Sequence, residues 1–215
     1  MRTDEANAAL EASISRERLA KYLEWSAGDL DTALTMYERN TMLSEAFYTP
    51  LQVLEICFRN KIDHAMRERY GQGWLIAPET TPLTDYSRAS ISNAVHTLER
   101  SRRQKSHGKL VAELKFAFWV SLTATPYDAT LWRSTLYRAF RADGGLPRKK
   151  VHGRINMVRR FRNRIAHHEP IFHDDLTTRY AEILEAIGWM CHETRIWAER
   201  QSRVEELLDS PTHSR

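Results

Sequence analysis

The chain has 215 residues, 42% hydrophobic and 28% charged, with a net charge of +4. That size suits one domain, or one domain with a helical extension, and can bury a core of its own. Eight Gly and seven Pro are too few for a turn-rich all-β fold, and the abundance of Arg, Leu, Ala and Glu favours helices. The two cysteines, Cys57 and Cys191, sit in apolar helical surroundings and read as buried free thiols of a reducing compartment. No apolar segment follows Met1-Arg2-Thr3-Asp4-Glu5, so no signal peptide is expected. The longest apolar run, Phe116 to Val120, is too short to span a bilayer. The expected location is the cytoplasm, with no membrane partner.

In chain order, residues 1–13 are expected to be flexible, followed by a single all-helical domain over 14–209 and a flexible tail over 210–215. Ser15 is placed to cap a helix from Arg16 to about Ser26, ended by Gly28. Asp29 or Asp31 starts a long second helix, in which Pro50 predicts a kink or break. Leu51, Leu54, Phe58, Ile62 and Ala65 continue at helical spacing to Gly71. A loop with Gly71, Gly73, Pro78 and Pro82 leads to a helix over Asp85–Arg103, closed by Arg100, Arg102, Arg103 and Lys105. Leu110 to Leu122 is apolar nearly all round and predicts one central buried helix. After Thr125-Pro126-Tyr127 come a short helix over Leu131–Phe140, a loop at Gly144-Gly145-Leu146-Pro147, and a helix from Arg148 to His168 stopped by Pro170. Asp174 or Asp175 caps a final helix running toward Leu208.

The most informative stretch lies at the end of the Arg148 helix: Phe161-Arg162-Asn163-Arg164-Ile165-Ala166-His167-His168-Glu169-Pro170. An Arg and a His beside one phosphate can cleave RNA without a metal, the His moving protons and the Arg stabilising charge on phosphorus. On a helix Asn163 and His167 share a face, and the long side chain of Arg162 can converge with them. Arg162, Asn163 and His167 are therefore the candidate catalytic set. His168 is an alternative, because a slightly longer spacing from Arg162 also fits. The order Phe-Arg-Asn-basic-Ile-x-His occurs about a hundred residues earlier, at Phe58-Arg59-Asn60-Lys61-Ile62-Asp63-His64. This makes Arg59, Asn60 and His64 a candidate secondary site. Its plain reading is structural, with Phe58 and Ile62 in the core and Arg59 paired to Glu55.

Charge is unevenly spread. From Arg141 to His168 there are nine Arg or Lys and one acid, and from Asp174 to Asp209 nine acids and four Arg. The basic run would attract a polyanion, and Arg148, Lys149, Lys150 and Arg154 are the candidate RNA-binding residues. The plain alternative is a solvated basic face paired with an acidic helix of the same chain. Phosphodiester cleavage needs both a base and an acid, whereas one helix supplies one His. This argues for a homodimer, or for pairing of the first motif with the second.

Other chemistries fit less well. His168-Glu169-Pro170-Ile171-Phe172-His173 has the wrong spacing for a metalloprotease, and Pro170 prevents the helix that motif needs. Two cysteines so far apart make no zinc finger. Gly71-Gln72-Gly73 follows a helix and lacks the third Gly of a dinucleotide loop. No Gly-Lys-Ser or Gly-Lys-Thr loop occurs, so ATP use is not expected, and the chain is read as having no metal and no cofactor. Phe116, Phe118 and Trp119 read as core.

Four stretches resemble the Abi-like family of bacterial abortive-infection proteins, within the HEPN superfamily of helical ribonucleases. They are Leu43-Ser44-Glu45-Ala46 through Pro50-Leu51-Gln52, Leu54-Glu55 through Arg59-Asn60, Glu113 through Trp119, and Arg162 through Ile171. The family often has Gly where Ala117 stands. The resemblance implies an all-α bundle of long antiparallel helices and a metal-independent endoribonuclease working at a dimer interface. It places Arg162, Asn163 and His167 in the active site and gives no support to His64. It also implies a toxin in anti-phage defence, acting on tRNA or mRNA and restrained by a protein or small-RNA antitoxin. The competing reading is a helical module that binds RNA, a nucleotide or a protein without cleaving.

Overall fold

A computed structural model describes residues 2–102, 105–140 and 145–210. Within them the chain is all-helical, without a strand. Arg103, the loop residue Gly144 and the tail over 211–215 lie outside the described residues.

A helix begins at Asp4, where a flexible segment is expected over 1–13. α1 (Asp4–Ile14) is capped by the Thr3 hydroxyl, which accepts from the Ala6 N–H at 3.2 Å. Arg2 pairs with Asp31 at 3.2 Å and also with Glu38, while buried Asn7 donates to Asp31 at 3.2 Å. Such long-range polar anchors are invisible to local composition. α2 (Arg16–Trp25) starts at Ser15 and ends before Gly28, whose positive φ of 88° suits glycine. Tyr22 packs edge-on to Trp25 and Tyr37 in a small satellite core, joined to the main one by Phe172.

α3 (Leu30–Tyr70) is the spine, 41 residues long and capped by Asp29. At 1.5 Å per residue it extends roughly 60 Å. Pro50 does not break it. The proline leaves the Ala46 carbonyl without its helical donor, but it is buried among Ala46, Phe47, Leu51 and Leu54. Packing along this face outweighs the local cost of the proline. Phe47, Leu54, Phe58, Ile62 and Met66 are fully buried, and the helix ends at Gly71.

α4 (Asp85–Arg100) begins at Thr84. The single helix expected over Leu110–Leu122 is two, α5 (His107–Glu113) and α6 (Phe116–Ser121), with Leu114 and Lys115 extended between them. The corner lets Leu110, Leu114, Phe116, Phe118 and Trp119 all reach the core, which one helix apolar on every side could not do against its neighbours. Likewise Leu131–Phe140 is a π turn over Asp128–Trp132 followed by a 3-10 turn over Leu136–Ala139.

α7 (Arg148–Ala166) buries Val151, Ile155, Val158 and Phe161 on one stripe. The helix expected from Asp174 or Asp175 toward Leu208 starts at an Asp175 cap but is three: α8 (Leu176–Met190), α9 (His192–Gln201) and α10 (Val204–Asp209). Cys191 turns the chain in an extended conformation. Gly188 then admits the Arg195 side chain, whose Cδ lies 3.2 Å from where a Cβ would stand. α3 packs against α2, α6, α7, α8 and α9. No helix among the described residues is long and apolar enough to cross a membrane.

Both cysteines are half-buried and unbonded. Burial pushes the Cys57 thiol up to about 11. The Cys191 thiol lies below its ordinary value, through the Thr194 hydroxyl and then the Thr194 N–H.

His152 of α7 meets the Thr123 hydroxyl through Nδ1 at 3.0 Å. Its pKa is lowered from 6.5, first by burial and then by the Arg148 charge. The folded chain therefore holds fewer protons here than the unfolded one. Stability should fall as pH drops below about 6.5 toward the folded value, and His152→Gln should flatten that slope. Urea melts of both proteins across this window are the check. Parallel pH dependences would contradict the assignment.

Candidate functional site: a cleft between α3 and the end of α7

The two Arg-Asn motifs converge, but only in part. A cleft of about 350 Å³ runs between α3 and the end of α7, lined by Tyr48, Gln52, Glu55, Arg59, Arg162 and Ile165 among others. Arg59 comes from the first motif and Arg162 from the second. Gln52, Glu55 and Arg59 recur at helical spacing on α3, which turns them to one side.

Glu55 meets Arg162 across the cleft, with Oε2 3.4 Å from Nε. The expected local pair of Glu55 with Arg59 is thus replaced by one spanning the two motifs. The Arg59 Nε is buried and has no hydrogen-bond partner. A buried guanidinium N–H without an acceptor is uncommon and marks a place where an anion can bind. Two guanidinium groups and one carboxylate on a shared cleft leave positive charge in excess. Tyr48, 64% exposed at the same cleft, adds a phenol and an aromatic face.

The remaining candidates are dispersed. Asn60 and His64 line a separate, adjacent groove, and His64 sits 3.1 Å from Glu68. The secondary site is therefore not one unit: Arg59 belongs to the first cleft, while Asn60 and His64 do not line it. Asn163 is half-buried, and its main-chain carbonyl accepts the His167 N–H at 2.9 Å. His167 is exposed and is the C-cap of α7, immediately after Ala166, the last residue of the cleft wall. The helix thus stops before the histidine pair that the sequence placed within it. His168 takes a positive φ of 58° as the chain reverses. That region is open to histidine more than to most side chains.

The reversal after α7 is held from two sides. Arg18 of α2 donates to the carbonyls of His167 at 3.4 Å and His168 at 3.3 Å. Buried Asn40 of α3 accepts the Ile171 N–H at 2.7 Å. Arg164, the second Arg of the motif, pairs with Asp174 at 2.8 Å and with the Pro170 carbonyl. Its role is to brace this turn.

Three of the four candidate RNA-binding residues, Arg148, Lys150 and Arg154, have partners within the chain. Arg148 binds Asp128 and the Thr123 carbonyl, both at 2.9 Å. Arg154 binds Glu185 at 2.6 Å and the Glu182 carbonyl at 3.2 Å, and lies over the Trp189 ring. Lys150 is 3.7 Å from Glu185 and also lies over Trp189. The acids of α8 thus pair with Lys150 and Arg154, and Asp128 pairs with Arg148. Lys149 is exposed at this end of the helix.

One polar group escaped the sequence reading. Asp63, inside the first motif, is buried and accepts from Trp74 Nε1 at 2.9 Å. His107 Nε2 lies 2.7 Å from the same oxygen. No local pattern announces this site, because Trp74 and His107 come from later loops and helix starts. Among the described residues, no group of three or more His, Cys, Asp or Glu gathers as a metal site would require. Compared with known proteins, the chain matches no family model, no curated protein and no solved structure.

Proposed function

We propose that the chain is a metal-independent endoribonuclease with a helical bundle of the HEPN type, and that the cleft between α3 and α7 is where it cleaves RNA. The observation that carries this reading is that Arg59 and Arg162, from two similar motifs far apart in sequence, line one cleft in which Glu55 pairs with Arg162. The two guanidinium groups would hold a phosphodiester and stabilise charge as the ribose 2′-oxygen attacks phosphorus. Glu55 would accept the 2′-hydroxyl proton once the incoming phosphate displaces it from Arg162. His167, at the cleft's end, would protonate the leaving 5′-oxygen, and Asn163 would support the turn that presents it. Base and acid then both come from one chain. A homodimer that brings two α7 ends together remains compatible with the chemistry, but the need for two groups no longer demands it.

The biological role proposed with this activity is that of a toxin in anti-phage defence, acting on tRNA or mRNA and held in check by a protein or small-RNA antitoxin. A second reading, RNA held without cleavage, draws on the exposed position of His167 outside the cleft wall. The two readings are separated by incubating purified protein with RNA in EDTA. Cleavage by the wild type and not by Arg162→Ala supports the enzyme. Binding without cleavage by the wild type supports the second reading.

A further inference from the structure

A second groove lies beyond Gln52 and Ile56, between α3 and α9, with a volume of about 640 Å³. That size falls within the roughly 300–1,000 Å³ usual for small-ligand sites. It shares Gln52 and Ile56 with the first cleft, so the two are neighbours across one row of α3 side chains. Trp197 of α9 forms one wall and is 54% exposed, while Ile56, 38% exposed, stands on the α3 wall. The opposite wall carries the amides of Gln52 and Asn60 and the Lys61 ammonium.

We propose that this groove is a nucleobase pocket, taking one base of a single-stranded RNA whose phosphate lies between Arg59 and Arg162. The inference rests on the RNA reading of the first cleft. A flat indole left in water on a groove wall is a surface on which a base can stack. Carboxamides carry both a donor and an acceptor, which matches the edges of bases, so Asn60 and Gln52 supply base preference. Lys61, which lines the same groove, is the cation this pocket offers to a neighbouring phosphate of the strand. The first motif thereby gains a use that needs no reaction at His64: Arg59 faces the phosphate cleft and Asn60 the base.

The test is fluorescence anisotropy with a short fluorescein-labelled 2′-O-methyl RNA, which cannot be cleaved by 2′-oxygen attack, and a matched abasic strand. Trp197→Ala should weaken binding of the full strand by roughly tenfold to a hundredfold, the range set by loss of one stacked base. Trp197→Phe should keep most of the affinity, and the wild type should bind the abasic strand as weakly as Trp197→Ala binds the full one. Equal binding of both strands by the wild type would overturn the pocket and leave the phosphate cleft standing. Binding of neither strand would overturn both. If Trp197→Ala instead shifts a dimer to a monomer in sedimentation, with RNA affinity unchanged, the surface belongs to a second copy of the chain and the pocket is rejected.

Discussion

His167→Ala is expected to lower RNA cleavage about a hundredfold or more, the usual cost of losing a general acid or base. Arg162→Ala should cost on the order of a hundredfold to a thousandfold, as removal of a transition-state donor does. Glu55→Gln separates the base proposed here from a merely structural partner. It removes the carboxylate but keeps an amide that can still face Arg162. If Glu55 takes the proton, the rate constant should fall while RNA binding holds or strengthens, because Arg162 is released. It should also change the acid limb of the pH–rate profile. If Glu55 only positions Arg162, the pH profile should keep its shape. Single-turnover rates across pH, with anisotropy on the same proteins, decide between these. An unaltered rate for Glu55→Gln, with activity abolished by His64→Ala, would transfer the chemistry to the first motif and reject the cleft assignment.

The second large effect concerns the fold. Asp63→Ala is expected to destabilise the chain by about 2–4 kcal/mol, as leaving two buried polar groups without their acceptor does. It strips the acceptor from Trp74 Nε1 and from His107 Nε2 together. For a domain of this size that corresponds to a fall in Tm on the order of 10 °C. Asp63→Asn keeps an oxygen for Trp74 and should lose less than half as much. Thermal and urea denaturation would show this directly, and a Tm for Asp63→Ala within a degree or so of the wild type would sink the idea that Asp63 anchors the loop after α3.

Much of the fold was legible where local chemistry and packing agree. Ser15 and Asp29 cap the helices their types favour, Gly28 and Gly71 end them, and the Phe58–Ile62–Ala65 spacing does place a buried stripe on α3. The failures have a common origin in contacts made from outside the segment. Pro50 reads as a breaker, yet its burial keeps α3 continuous. Apolar residues on every side of Leu110–Leu122 read as one buried helix, whereas a corner at Leu114 seats them better. The acidic C-terminal stretch reads as one helix because nothing local reveals that Arg195 folds back onto Gly188.

The candidate site follows the same division. Arg162 and Arg59 were legible because an Arg-Asn pair recurs in similar company. That they share a cleft was not, since only the packing of α7 on α3 brings them together. Glu55 sits four residues before Arg59, and that spacing pointed to the wrong partner. For the basic run, the complementary charges of the two C-terminal segments already held the answer. Glu182 and Glu185 of α8 face Arg154, and Lys150 reaches Glu185. A strong positive field along the sequence is thereby reduced in the folded chain.

The most direct measurement is the chemistry of the RNA ends left by the purified protein in EDTA. Attack by the ribose 2′-oxygen, driven by a cleft of Arg59, Arg162 and Glu55, predicts 2′,3′-cyclic phosphate ends, or the 3′-phosphates derived from them, with 5′-hydroxyl ends on the other fragment. These should disappear with Arg162→Ala. Products carrying 5′-phosphates, or cleavage that requires Mg²⁺ strictly, would contradict the account.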